Sequence, residues 1–130
     1  MSSGLELLDS RVNHIDLVEG IATIYFSHAY IHKSKGTPGR DGGTGWSQEA
    51  QLVMSEVEYQ PPLPLIFPNT IAEGFLEVGG IKHEIIPLPF KRKVGAQLYL
   101  SFIDGTEIEL IGMSPYIELS GKSFFLEDHS

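Results

Sequence analysis

Phe75-Leu76-Glu77-Val78-Gly79-Gly80-Ile81-Lys82-His83-Glu84-Ile85 decides the fold class. Two apolar-rich runs flank a Gly-Gly pair, the residue type that a two-residue hairpin turn with positive φ demands. The register this turn imposes sets Val78 opposite Ile81 and Leu76 opposite His83 on one face. Glu77 then stands opposite Lys82 on the other. Opposite charges outside and apolar groups inside make the pairing self-consistent.

A second hairpin follows around Asp104-Gly105. A two-residue turn there would place Leu100 opposite Glu109 and Phe102 opposite Glu107, mixing buried and solvent-seeking side chains on one face. A three-residue loop, Ile103-Asp104-Gly105 with Gly105 left-handed, instead pairs Leu98 with Leu110, Leu100 with Ile108 and Phe102 with Thr106. Tyr116–Leu119 and Phe124–Leu126 read as closing strands with Gly121 between them.

Upstream, Ile15 to Lys33 is rich in β-branched and aromatic residues and carries no helix start, which predicts one long strand or two abutting ones. Ile24 and Phe26 occupy one parity, Ala29 and Ile31 the other. A one-residue bulge near Ser27 restores a continuous core face and puts His32 on the side away from Ala29 and Ile31. Residues 1–14 read as a short strand or a single helical turn. Residues 48–58 fit a strand through Val53, Val57 and Tyr59 but also a short helix with Ser47 as N-cap. The Pro-rich stretch 60–68 reads as an extended connection. Together these features predict an all-β single domain over residues 1–130, a small antiparallel β-barrel. The alternatives are a β-sandwich, or a barrel with one short helix at about 48–58.

The chain has 130 residues, 42% hydrophobic and 20% charged, which suits one globular domain with a sizeable core. Its net charge of −8 argues against nucleic acid and against anionic membrane as partners, because counterion-release binding needs a concentrated basic surface. Two local exceptions are Lys33, Lys35 and Arg40, and Lys91-Arg92-Lys93; a short charge run of the second kind ordinarily marks a solvated loop tip. There is no cysteine, so disulfides and thiolate chemistry are excluded. Neither a basic, apolar leader nor a membrane-length apolar run is visible, and a cytoplasmic location is the expectation.

The chemistry concentrates around a glycine-rich loop, residues 33–46, with five glycines between Lys33 and Trp46. Such a loop can present successive amides to an anion. Gly45 is followed by Trp46-Ser47 in place of the Lys-Ser/Thr of a P-loop, which excludes a Walker-type nucleotide site. His28 and His32 lie four residues apart, roughly 13 Å along an extended strand, too far to chelate one ion. No metal and no cofactor are therefore expected.

His28, Tyr30, His32, Lys35, Arg40, Asp41 and Trp46 are the candidate ligand-binding residues, set at the mouth of the barrel. They point to a non-enzymatic module for a small anionic or carbohydrate-like ligand. The competing reading of the loop is a mobile surface connection with Trp46 as a hydrophobic plug. Two other functions compete: a protein-interaction or assembly subunit, forming a homo-oligomer or binding another protein through strand edges, and a metal-assisted or acid–base enzyme built on His28, His32 and Asp41. Ser34, His32 and Asp41 are close in sequence but lack a nucleophile-elbow motif, so catalytic residues are not assigned.

Overall fold

The computed structural model describes residues 2–58 and 65–129. Nine strands follow in order: β1 (Ser2–Val18), β2 (Ile21–Ser34), β3 (Gly43–Glu58), β4 (Asn69–Val78), β5 (Ile81–His83), β6 (Ile85–Leu88), β7 (Phe90–Lys91), β8 (Gly95–Phe102) and β9 (Glu107–His129). No helix occurs among the described residues, and the helix considered for 48–58 is replaced by β3. That stretch is laddered to β2 on one side and to β9 on the other, and two rows of backbone hydrogen bonds outweigh a weak local helical pattern. The Pro-rich connection falls mostly outside the described residues.

All pairings are antiparallel. Six strands close into a ring, β1–β2–β3–β9–β8–β4 and back to β1, with the last step made by Arg11 opposite Thr70 and Val12 opposite Asn69. Closure satisfies strand edges that an open sheet would leave exposed. Inside the ring the alternating residues Ile24, Leu52, Leu76, Leu98, Leu100 and Leu110 are all buried. This continuous apolar filling leaves the polar chemistry to the outer face and the ends.

Both expected hairpins form in the expected register. Val78 pairs with Ile81, Glu77 with Lys82 and Leu76 with His83; Leu98 pairs with Leu110 and Leu100 with Ile108. In the second hairpin Gly105 has φ +90°, its amide donates to Phe102 O, and the Phe102 amide donates to Thr106 O. A non-glycine residue would be strained at that φ. Ile81, at the tip of the first hairpin, is nonetheless exposed, because the tip projects beyond the core.

Strand lengths differ from the sequence reading: the N-terminal residues belong to a long strand, β1, which buries Leu5 and Leu7, and the expected closing strands 116–119 and 124–126 are parts of one strand, β9. Of the two readings of 15–33 the two-strand one holds, the division being a tight turn at Glu19-Gly20 with positive φ at both residues. The bulge near Ser27 is present: Phe26 faces Ala50 and Ala29 faces Gln48, so β2 carries one extra residue there. Facing it, β1 leaves the ladder between Glu6 and Arg11. Ser10 fills the gap, its buried hydroxyl donating to Glu6 O at 2.5 Å and accepting from the Tyr30 amide at 2.9 Å.

Candidate polar site at the end of the sheet

On the outer face of β2, Tyr30 and His32 project in the same direction. Tyr30 Oη donates to Glu127 of β9. With its one proton so directed, the oxygen accepts from Nε2 of His129 at 3.0 Å. His32 Nε2 lies 3.1 Å from Glu6 Oε1 of β1, and its ring stacks on His129 with centroids 5.0 Å apart. His32 points away from Ala29 and Ile31 as expected, yet it is buried, because Glu6, Tyr30 and the end of β9 cover it.

Between Tyr30 and Glu127 the sheet is crossed by β3, and the crossing point is Gly45. A Cβ at Gly45 would collide with Tyr30 Oη and lie 2.9 Å from His129 Nε2. Glycine here is a requirement of close approach: the tyrosine and histidine rings lie across bare backbone. Burial, then the hydrogen bond and charge of Glu127, then the charges of Glu6 and Asp9, raise the Tyr30 hydroxyl well above the ordinary tyrosine range. The phenol stays protonated and acts as a donor.

The glycine-rich loop is shorter than expected. β2 runs to Ser34 and β3 begins at Gly43, so only residues 35–42 form the turn. Its amides are largely committed within it. Lys35 N donates to Gly42 O at 3.3 Å, Gly36 N to Ser34 Oγ at 3.1 Å and Thr37 N to Asp41 Oδ2 at 2.6 Å, while Arg40 N and Asp41 N both donate to Thr37 O. Few amides remain to form an anion nest, and Asp41 serves as the cap that orders the turn. The cationic side chains remain.

Lys33 Nζ lies 4.1 Å above the Trp46 ring, which also meets Phe125 edge-on at 5.5 Å and donates from Nε1 to Thr44 Oγ1 at 2.7 Å. Trp46 is thus half-buried at the base of the turn. Lys33, Lys35, Thr44, Asp128 and His129, with Gly42 and Gly43, line an open groove beside it.

Of the residues singled out in the sequence, Tyr30 and His32 meet in the polar cluster, Lys35 lines the groove, and Trp46 packs behind it against Lys33 and Thr44. Arg40 is exposed on the turn. His28 is exposed at the bulge, 3.2 Å from Ser27 Oγ, in a separate shallow groove with Gln48, Lys122 and Phe124. His28, His32 and Asp41 do not converge, and among the described residues no three His, Asp or Glu side chains are grouped so as to hold a metal ion.

Glu6, Gly45, Glu127, Asp128 and His129 carried no signal in the sequence. They come from three different strands. His129 is half-buried against His32 because β9 pairs with the first residues of β3. His83, opposite Leu76 in the first hairpin, packs edge-on to Phe90 at 6.0 Å and is half-buried. No protein-family model, curated protein or solved structure matches this chain.

Proposed function

We propose that this chain is a non-enzymatic binding module whose groove beside the 35–42 turn takes a small polyhydroxyl ligand carrying negative charge, carbohydrate-like in its chemistry. One observation carries the reading. Lys33 of β2, Thr44 of β3 and Asp128 of β9 stand in one cross-strand row. The outer two strands are separated by roughly 10 Å, two inter-strand spacings.

Such a row offers cationic donors at one side, a hydroxyl in the middle and a carboxylate acceptor at the other. Hydroxyl groups can both donate and accept, so a polyhydroxyl ligand uses all three, and Lys35 adds a second cation for an acidic substituent. A bare inorganic anion would meet Asp128 as a like charge, which disfavours it.

The absence of a catalytic role rests on commitments elsewhere. Ser34 Oγ sits against the Thr37, Asp41 and Gly42 carbonyls at 3.3–3.4 Å, His32 is held by Glu6, and Asp41 caps Thr37. None of the three is free to assemble with the others as nucleophile, base and orienting group.

Trp46, the only tryptophan, is a built-in reporter because Lys33 rests on its ring. Titration with neutral sugars, acidic sugars and inorganic phosphate should change Trp46 emission with the acidic sugars first, and Lys33→Ala with Lys35→Ala should abolish the saturable response. No fluorescence response and no thermal shift across the panel would remove the proposal.

A further inference from the structure

Two surface features lie along the long strand β9, one at its C-terminal end and one near its middle. The first is its C-terminal arm. Residues 118–129 pair with β3 along one edge, and no strand pairs with the other edge among the described residues. Phe124, Phe125 and Leu126 are 64%, 54% and 50% exposed there, and Glu127 and Asp128 follow directly. A run of large exposed apolar side chains ending in acids is an unusual use of surface in a monomer.

The second is a shallow groove of opposite character. Ile21, Val53 and Tyr116 line it together with Lys91, Arg92 and Lys93. Arg92 is held in place, its guanidinium 4.6 Å from the Phe90 ring centroid and Nη1 donating to Lys91 O at 3.1 Å. Among the described residues none of the three cations has a carboxylate within 4.0 Å, in a chain with 17 acidic and 9 basic residues. Three adjacent unpaired cations beside an apolar surface match an acidic segment with apolar anchors.

The arm supplies that segment, but not within one molecule. About a dozen residues of extended strand, roughly 40 Å, separate Asp128 from Tyr116 on β9, and the arm is laddered to β3 along this length. We propose that copies of this chain associate head to tail, with the Phe124–Asp128 arm of one copy seated in the Lys91–Lys93 groove of the next. Asp128 presents the charge, since Glu127 is held by Tyr30, and Phe125, on the same face of the arm as Asp128, meets Ile21 and Tyr116 with Leu126 at the bulge beside it. In head-to-tail contact each row of copies keeps one open arm and one open groove at its ends, so it grows into a ring or an open filament; a reciprocal exchange closing as a two-fold dimer would be a different assembly.

The test is sedimentation velocity on the full chain over a concentration series, at low salt and at about 0.5 M salt, where charge attraction is largely screened. The mass should rise past that of a dimer with concentration and fall in high salt. Lys91→Glu with Lys93→Glu should weaken association at least tenfold, Asp128→Lys should do the same, and mixing these two variants should restore it. Circular dichroism establishes that each variant is folded, and if one is not, the other still reads the contact. A wild-type chain that is monomeric throughout, a species that stops at the dimer, or association unchanged in either folded variant overturns the proposal.

Discussion

Tyr30 of β2 and Glu127 of β9, 97 residues apart in the chain, are joined by a hydrogen bond that passes over the backbone of Gly45. The contact ties the free arm of β9 to the body of the sheet. Tyr30→Phe removes the donor to Glu127 and the acceptor for His129. It should lower unfolding free energy by about 0.5–1.5 kcal/mol, the net worth of an ordinary hydrogen bond, because Glu127 is solvent-exposed. Amide exchange should accelerate most at residues 124–129, and uniform acceleration throughout the chain would count against a local tether.

Gly45→Ala attacks the same contact from the backbone side. The new methyl group takes the space of Tyr30 Oη and crowds His129 Nε2, and both are side-chain ends that can swing away. The loss should therefore resemble that of Tyr30→Phe, about 0.5–1.5 kcal/mol. In a double-mutant cycle the two changes should cost clearly less together than the sum of the singles. Additive losses would show that Gly45 is needed for another reason.

His83 gives a pH dependence with a definite sign. Burial, and then the positive charge of Arg92, lower its pKa below the ordinary value of 6.5. The folded state thus binds fewer protons than the unfolded state between the two values, so stability rises with pH across that window. The contribution is complete above pH 6.5 and is lost as pH falls through the folded pKa. Thermal melts from pH 7.5 downward should show wild type losing stability relative to His83→Gln below pH 6.5. The opposite divergence would contradict this environment.

Leu98 is fully buried and faces Leu76 on one side and Leu110 on the other. Leu98→Ala should cost about 2–5 kcal/mol, through lost burial and the cavity left in a closed ring. Ile111 lies on the next strand but is mostly exposed, and Ile111→Ser should change stability by no more than about 0.5 kcal/mol. Denaturant unfolding of both variants measures the contrast.

Much of the fold could be read from local rules. The Gly79-Gly80 and Ile103-Asp104-Gly105 turns allow one sensible register each, and alternation carries that register along both strands. The parity switch between Phe26 and Ala29 likewise marks the bulge, because the core side of a strand must stay apolar. Residues 48–58 were ambiguous because Ala50, Val53, Met54 and Val57 suit both periodicities; pairing on two sides settled them as strand. Two abutting strands were one reading of 15–33, but the place of the turn at Glu19-Gly20 was not fixed, since Val18 and Ile21 on either side look like one continuous run.

The candidate site was legible only in its β2 half. Tyr30 and His32 could be placed on one face by period two, and Lys33 and Lys35 by their nearness to the turn. Glu6, Gly45, Glu127 and His129 could not be found, since no sequence spacing links residues on β1, β3 and β9. The amides of the glycine-rich turn looked available for a ligand because Ser34 and Asp41 show no preference for self-pairing until the turn closes on them.

The all-β class, both hairpin registers and the bulged strand therefore belong to the linear chain, because turn geometry and side-chain alternation act over a few residues. The closing of the ring, the burial of His32 and the alignment of Lys33 with Asp128 across Thr44 belong to the folded molecule. They depend on which distant strands become neighbours, and that is set by collective burial of Leu52, Leu76, Leu98 and Leu110 against one another rather than by any residue's own surroundings.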